Sequence, residues 1–428
     1  MASLSLRELL ANGRIDVLGF YSRRVRRLLP AASAAIVGIA LLAIAVVPLQ
    51  GRISLEGDAR AASLWFSNWH FIGEQTQYFE SSFIPTAYLH FWSLAIEEQF
   101  YILFPLVLSG LWLASGRRLR RMTWWMTSIT IALCALQLMV AQGDATRAYY
   151  GADTRAYQIS AGVTLALASL QFPALMRSRR TGPVLVVFGG FGTLALASNL
   201  WDVSPSTRGV AATLLIAAVI VGAESSPREG LGHLPTWALS RPTLTYLGQI
   251  SYGTYLWHWP IIVFAGALID ASPLPLAALS ALVGTGLAAL SFELLEQPIR
   301  TSPRLKPFRA ATVVTGLALA AVVGLLVVPA ILRSSARPVV ESAQHTLHQG
   351  IQINPINGLD LDLDGERGGG SSLGCIAADG SDCIVRVGNG PTVVVVGDSH
   401  AGMLGASFRH LANELDLTFA LVSRGACP

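Results

Sequence analysis

The sequence predicts a polytopic α-helical membrane domain of about nine spans, followed by the start of an extracytoplasmic α/β domain. Three observations carry this reading. Hydrophobic residues make up 52% of the 428-residue chain and charged residues only 13%, a balance that soluble domains rarely sustain. Apolar runs of about 17–25 residues, the length that crosses a bilayer as a helix, recur along the first three quarters of the chain. Short arginine clusters punctuate those runs in alternate loops, which is a topology signal of integral membrane proteins.

The runs lie near 29–48, 92–114, 122–141, 156–174, 183–200, 208–224, 246–268, 273–293 and 310–332, with those from 183 to 224 the weakest. The basic clusters are "RRVRR" (23–27), "RRLRR" (117–121), "RSRR" (177–180), the 225–243 loop with Arg228 and Arg241, and "IRTSPRLKPFR" (299–309). The loops between them are poor in basic residues. The positive-inside rule therefore places the clusters in the cytoplasm, and an odd number of crossings puts everything after Leu332 outside. The start, "MASLSLRELLANGRID", has neither the apolar core nor the cleavage site of a signal peptide and reads as internal to something longer.

After Leu332 the composition changes to stretches such as "GLDLDLDGERGGGSS", a flexible linker. We divide the chain into a membrane domain over 1–332, an extracytoplasmic linker over 333–390 and the beginning of a folded domain over 391–428. The net charge of +4 would suggest nucleic acid or acidic lipid in a soluble protein; here it resides in the topology clusters, so no nucleic-acid partner is expected. The four cysteines, Cys134, Cys375, Cys383 and Cys427, lack metal-type spacing, and no metal site is expected. Cys375 and Cys383 are placed to close a disulfide on the oxidising side, the alternative being two free thiols.

Ionisable side chains inside apolar helices are costly and mark functional sites. In "LHFWSLAIEEQFYILFP" (89–105), Glu97 and Glu98 are adjacent carboxylates, with Ser93, Glu97 and Tyr101 on one helical face and Leu94 and Glu98 on the next. They suit a proton acceptor or a cation site; the structural alternative is an ion pair with Arg155. In "QISYGTYLWHWPIIVF" (249–264), helical spacing puts Ser251, Tyr255 and His258 on one face, and Pro260 frees a carbonyl one turn earlier. His258 is either a chemical participant or a hydrogen-bonded interior histidine. The loop histidines His70 and His90 are given no role.

At the far end "TVVVV" (392–396), bounded by proline and glycine, reads as a buried strand. Gly397-Asp398-Ser399-His400 then turns into "AGMLGASFRHLANEL", with Leu404, Phe408 and Leu411 at helical spacing. A serine at a strand-to-helix turn exposes its hydroxyl beside backbone N–H groups, so Ser399 is a candidate nucleophile. The alternative is that Asp398 or Ser399 only caps the helix.

"VVVVGDSHAG" (393–402) resembles the first block of the SGNH, or GDSL-type, hydrolase family in the variant fused to membrane acyltransferases. The resemblance implies that Ser399 attacks an acyl carbonyl and that an Asp-x-x-His supplies the base; that base is expected to lie outside these residues. The segments "FYSRRVRRLLPA" (20–31), "HFWSLAIEEQFYILFP" (90–105), "DTRAYQISAG" (153–162), "ISYGTYLWHWP" (250–260) and "ELLEQPIR" (293–300) together resemble acyltransferase family 3. That resemblance implies transfer of an acyl group, commonly acetyl, from acyl-CoA to a hydroxyl of a cell-surface or exported glycan or glycolipid. Coenzyme A is then a donor substrate, and no permanently bound cofactor is expected. Arg23, Arg24, Arg26 and Arg27 would face its phosphates at the inner surface, unless they only set topology. Glu97, Glu98, Arg155 and His258 would line the internal site, with Glu296 and Arg300 either structural or substrate-binding. The family also has an earlier span with an arginine and a histidine, expected to precede these residues.

Two other classes fit part of the pattern. A transporter or flippase would use Glu97, Glu98 and His258 as a proton relay, but no second copy of "EEQFY" marks a paired repeat. A membrane-tethered esterase would need only an anchor, which so many spans exceed.

Overall fold

The computed structural model describes residues 2–74, 86–173, 181–198, 203–225, 234–269, 272–334, 384–397 and 405–423. They fall in two units, Met1–His348 and Gln349–Pro428. The first unit is helical among the described residues: α1 (Ala2–Asn12), α2 (Val17–Val46), α3 (Leu49–Ser63), α4 (Ser67–Gly73), α5 (Phe91–Ala114), α6 (Leu119–Val140), α7 (Ala145–Tyr150), α8 (Ala152–Gln171), α9 (Gly182–Ala197), α10 (Pro205–Ser225), α11 (Leu234–Leu239), α12 (Pro242–Leu268), α13 (Pro273–Thr301) and α14 (Arg309–Leu332).

α2 organises this unit. It starts where the Asp16 carboxylate accepts from the Gly19 N–H at 2.9 Å, and Arg309 completes the cap by an ion pair with the same carboxylate. Its buried stripe of Ala31, Ala35, Ile36, Ile39, Ala40 and Ala43 repeats every three or four residues and packs in one core with Tyr88, Phe91, Leu256 and Trp257. Small residues let the neighbours approach. At Gly38 an added Cβ would stand 2.3 Å from the Trp257 ring, so only glycine admits the indole. α9 and α10 pair in the same manner, since a Cβ at Gly222 would fall 2.7 Å from the Gly182 carbonyl.

Among the described residues six helices are long and apolar enough to cross a membrane: α2, α5, α6, α10, α13 and α14. By this measure the expectation of about nine spans is not confirmed. Each predicted run does form a helix, but the one near 183–200 yields α9, which at 16 residues is short for a bilayer. α8 and α12 are long enough and fall short on hydropathy, because Arg155 and Gln158 on the first and Gln249, Tyr252, Tyr255 and His258 on the second dilute their apolar windows. Helix composition therefore does not by itself supply the parity that placed the C-terminus.

Two helices carry a π turn, Phe292–Glu296 in α13 and Val323–Val327 in α14. Each precedes a proline, Pro298 or Pro329, whose missing N–H leaves a carbonyl four residues back without its donor. The helix widens there to bonds five residues long, from Gln297 N to Phe292 O and from Val328 N to Val323 O.

In the second unit β1 (Ile384–Arg386), β2 (Thr392–Gly397) and β3 (Thr418–Ser423) form a sheet in the order β1-β3-β2. β2 and β3 run parallel, Val395 opposite Leu421, and α15 (Gly405–Glu414) lies between them in sequence. The predicted strand and helix are thus present, whereas β1 and β3 have too little periodicity to be read beforehand. The buried reading of "TVVVV" needs correction: Val393 and Val394 are exposed, while Val395 packs against the core of Ala412, Phe419 and Leu421. The reason is that burial of a strand on both faces requires covering layers on both sides. Ser399, Cys375 and Cys383 lie outside the described residues, and with them the nucleophile and disulfide expectations.

Candidate functional site

Helical geometry divides the arginine cluster of α2 by face. Arg23 and Arg27, four residues apart, are exposed, while Arg24 and Arg26 turn inward and are buried. Arg26 holds the end of α13: it donates to the carbonyls of Ile299 at 3.0 Å, Ser302 at 2.9 Å and Arg300. Those are last-turn carbonyls that lack helical donors, so Arg26 is occupied as a cap and does not offer its guanidinium to phosphate. Of the four arginines grouped as facing coenzyme A, the exposed ones are Arg23 and Arg27.

Arg24 reaches into the bundle. Its Nη2 donates to Glu98 Oε1 at 3.3 Å and its guanidinium lies over the Tyr101 ring, 3.2 Å from the centroid. Glu98 and Tyr101 stand three residues apart on α5, so one planar cation can meet both. Glu97 is exposed and feels the charges of Arg24 and Arg27. Gln99, next in sequence, donates to the Trp65 carbonyl and to Asn68 Oδ1, each at 2.8 Å, and ties α5 to α4 and the turn before it.

About 12 Å further along α5, at 1.5 Å per residue, comes a second cluster. Ser93 Oγ and Tyr255 Oη are 2.5 Å apart, and Tyr255 donates to the His90 carbonyl at 2.9 Å. The carbonyl freed by Pro260 is that of Leu256, and His90 Nε2 donates to it at 3.1 Å. The other ring nitrogen, Nδ1, is buried beside the Ala87 backbone, which also acts on the ring. His258 stands edge-on to His90, ring centroids 5.9 Å apart, with Nδ1 2.7 Å from the Tyr255 carbonyl. Ser280 on α13 donates to the His258 carbonyl at 2.7 Å.

The expected residues thus divide between places. Glu98 meets Arg24, and His258 meets Tyr255 and His90. Ser251 does not join that face: it is exposed and bonds the carbonyl of Gly248 in its own helix, and Tyr252, which donates to the Leu28 carbonyl at 3.2 Å, stands inward instead. Arg155 does not pair with either glutamate. It donates to the Tyr149 carbonyl at 2.9 Å and lies against the rings of Tyr149 and Trp92, a separate aromatic cluster. Glu296 is buried within the π turn of α13, where Arg27 and Arg300 act on it. His90 is the residue that sequence reasoning set aside. The signal was present, because a proline-orphaned carbonyl in an apolar helix requires a donor from elsewhere. Among the described residues no cluster of three metal-ligating side chains occurs.

The column of polar groups, Arg24–Glu98–Tyr101 below and Ser93–Tyr255–His90–His258 above, can hold a charged or polar group inside apolar helices and pass a proton between neutral rings and hydroxyls. Comparison with known proteins gives this arrangement a family. The profile of the acyltransferase domain family Acyl_transf_3 matches residues 4–293, and that of the SGNH domain fused to AT3 domains matches residues 369–428. The chain is 32% identical over 317 residues to O-acetyltransferase OatA of Staphylococcus aureus (strain NCTC 8325 / PS 47), covering 70% of this chain and 50% of that one. It is 31% identical over 298 residues to "Putative peptidoglycan O-acetyltransferase YrhL" of Bacillus subtilis (strain 168), covering 67% and 46%. The chain therefore spans about half the length of the curated relatives it matches. No solved structure matches. With a family profile covering more than half of its residues and a second marking its C-terminal part, the chain belongs to acyltransferase family 3, in the form fused to an SGNH domain.

Proposed function

We propose that the protein transfers an acyl group, acetyl in the first instance, from acyl-CoA across the inner membrane to a hydroxyl of a cell-surface glycan, with peptidoglycan, the acceptor in the name of the Bacillus subtilis relative, as the first candidate. The observation that carries this reading is the polar column running through helices otherwise apolar enough for lipid. Arg23 and Arg27, exposed at one end of α2, suit the phosphates of coenzyme A. The Arg24–Glu98 pair holds charge in the interior, and His90, Tyr255 and His258 stand further along the route of the acyl group. The arginine-bearing loops face the cytoplasm in this reading, and the SGNH segment faces outward. There Ser399 takes the acyl group as an ester before a sugar hydroxyl accepts it.

The test is transfer in vesicles containing the full protein, with labelled acetyl-CoA supplied on the side of the arginine loops. Label is expected in alkali-labile esters on peptidoglycan, with Ser399→Ala reducing it. Glycan movement without acetyl-CoA consumption would replace this reading by transport, and loss of pre-existing esters alone by hydrolysis.

A further inference from the structure

A cavity of about 290 Å³ lies among α1, α5, α8 and α10, beside the arginine end of the polar column. Phe100, Tyr101 and Phe104 of α5 form one wall, and Ile159, Gly162 and Val163 of α8 form another. Phe104 and Val163 are buried members of one core, so the two walls are fixed to each other. Ser169 turns its hydroxyl to the Ala166 carbonyl of its own helix at 3.0 Å, and Glu224 is the charged residue on the lining.

The shape of the cavity is that of a chain. Ile159 and Ser169 both line it and lie on one helix, so it extends about 15 Å along α8 at 1.5 Å per residue. Its volume stands at the lower bound of small-molecule sites, about 300–1,000 Å³, too little for a nucleotide drawn out over that length. α10 runs beside α8 in the same direction, since an added Cβ at Gly209 would stand 3.0 Å from Arg155 Nη1 near the start of both helices. Glu224 therefore comes level with Ser169, and its charge disfavours an acyl group with a second carboxylate at that end.

Gly162 keeps this space open. A Cβ added there meets no atom within 4 Å, whereas one at Gly38 or Gly222 would collide with a neighbouring helix. Glycine at those two positions serves helix packing; at Gly162 it leaves room beside the α8 backbone. Tyr101 joins the cavity to the column. Its ring lines the cavity and also carries the Arg24 guanidinium, 3.2 Å from the centroid, and Arg24 in turn holds Glu98. Arg23 and Arg27, exposed on the same stretch of α2, lie within one helical turn of Arg24.

We infer that this cavity takes the acyl chain of the donor thioester and that Gly162 sets the chain length it accepts, so that uncharged chains longer than acetyl are substrates. The inference rests on the proposed function and names its donor class: acyl thioesters of short to medium chain. The thioester carbonyl stands beside Tyr101, next to the Arg24 guanidinium, and the chain lies along α8. Each methylene that leaves water for these apolar walls favours binding, until the chain fills the space beside Gly162.

The experiment uses the full protein in vesicles, with peptidoglycan as acceptor and acetyl-CoA, butanoyl-CoA and octanoyl-CoA as donors. The parent should transfer all three. Gly162→Leu should lower the octanoyl-to-acetyl ratio of kcat/KM about 10-fold or more, the scale of steric discrimination in an apolar pocket. A parent that transfers acetyl and neither longer chain, or an unchanged ratio in Gly162→Leu, overturns the inference. Photolabelling of the parent by octanoyl-CoA with a diazirine at the chain end gives a second measurement, which decides should Gly162→Leu not fold. Label on the α8 peptide that holds Gly162, Val163 and Ala166 supports the inference, and label only elsewhere overturns it. Label on that peptide from a diazirine phospholipid but not from the acyl-CoA makes the cavity a lipid site and also overturns it. Should the parent consume no acetyl-CoA, the proposed function fails, and the same photolabelling judges the cavity by itself.

Discussion

The two ends of α2, 30 residues and so about 45 Å long, solve the same problem by different chemistry. At the arginine end the inward charges are fixed cations, and each is compensated: Arg24 by Glu98 and the Tyr101 face, Arg26 by three carbonyls. At the opposite end the inward groups near α12 are imidazoles on backbone carbonyls, a side chain that has a neutral form. A permanent charge in apolar surroundings needs a permanent partner, whereas a histidine can take up and release a proton in place. In the proposed function the first end suits anion holding and the second suits proton transfer.

Removing one partner of the buried pair should break this contrast most severely. Arg24→Ala leaves the Glu98 carboxylate without its cation and should cost about 3–5 kcal/mol, read as a lowered unfolding temperature in detergent. Arg24→Met combined with Glu98→Leu should recover most of that loss, which distinguishes the penalty of an orphaned charge from the worth of the pair. Next comes Arg26→Ala, which removes charged hydrogen bonds to the end of α13 and should cost about 1.5–3 kcal/mol in the same measurement.

A smaller effect sharpens the comparison at the opposite end. Glu56 is buried and held below the usual carboxylate value by the hydrogen bond from Arg333, burial opposing, with the charges of Arg333 and Arg60 adding. A lowered folded value means that the unfolded chain binds more protons as the solution is acidified. The stabilisation is therefore present above the unfolded value of about 4.3 and lost as pH falls through the folded one. Unfolding temperatures measured from pH 6 downward should show that loss in the parent and a flatter profile in Glu56→Gln. The smallest change is expected for Arg27→Ala, an exposed position, with stability within about 0.5 kcal/mol of the parent. If Arg27 serves acyl-CoA, the same variant raises KM for it while kcat holds; an unchanged KM would leave Arg27 as a topology residue only.

Much of the helical layout was legible in residue order. The apolar runs are local patterns, and each holds a helix among the described residues. Span counting was less secure because α8 and α12 carry the polar residues that line the interior, which lowers the hydropathy by which a span is recognised. Pro260 announced an orphaned carbonyl, and His90 answers it from a helix start that reads as an ordinary loop. The pairing of His70 with Asp58 was illegible for the same reason: Asp58 is twelve residues earlier and meets it only because a left-handed turn at Trp65 folds α4 back on α3.

Residue order by itself determined the membrane character, the places of the helices, a strand and a helix near the C-terminus and the family, because hydropathy, charge spacing and short motifs act within a few residues of one another. Only the tertiary structure decided which charge each arginine meets, that Glu98 rather than Glu97 takes the inward partner, and that three histidines share one end of the bundle. Those outcomes depend on contacts such as Arg24 with Glu98, 74 residues apart, where a helix rotated by one residue, about 100°, would bring a different side chain inward.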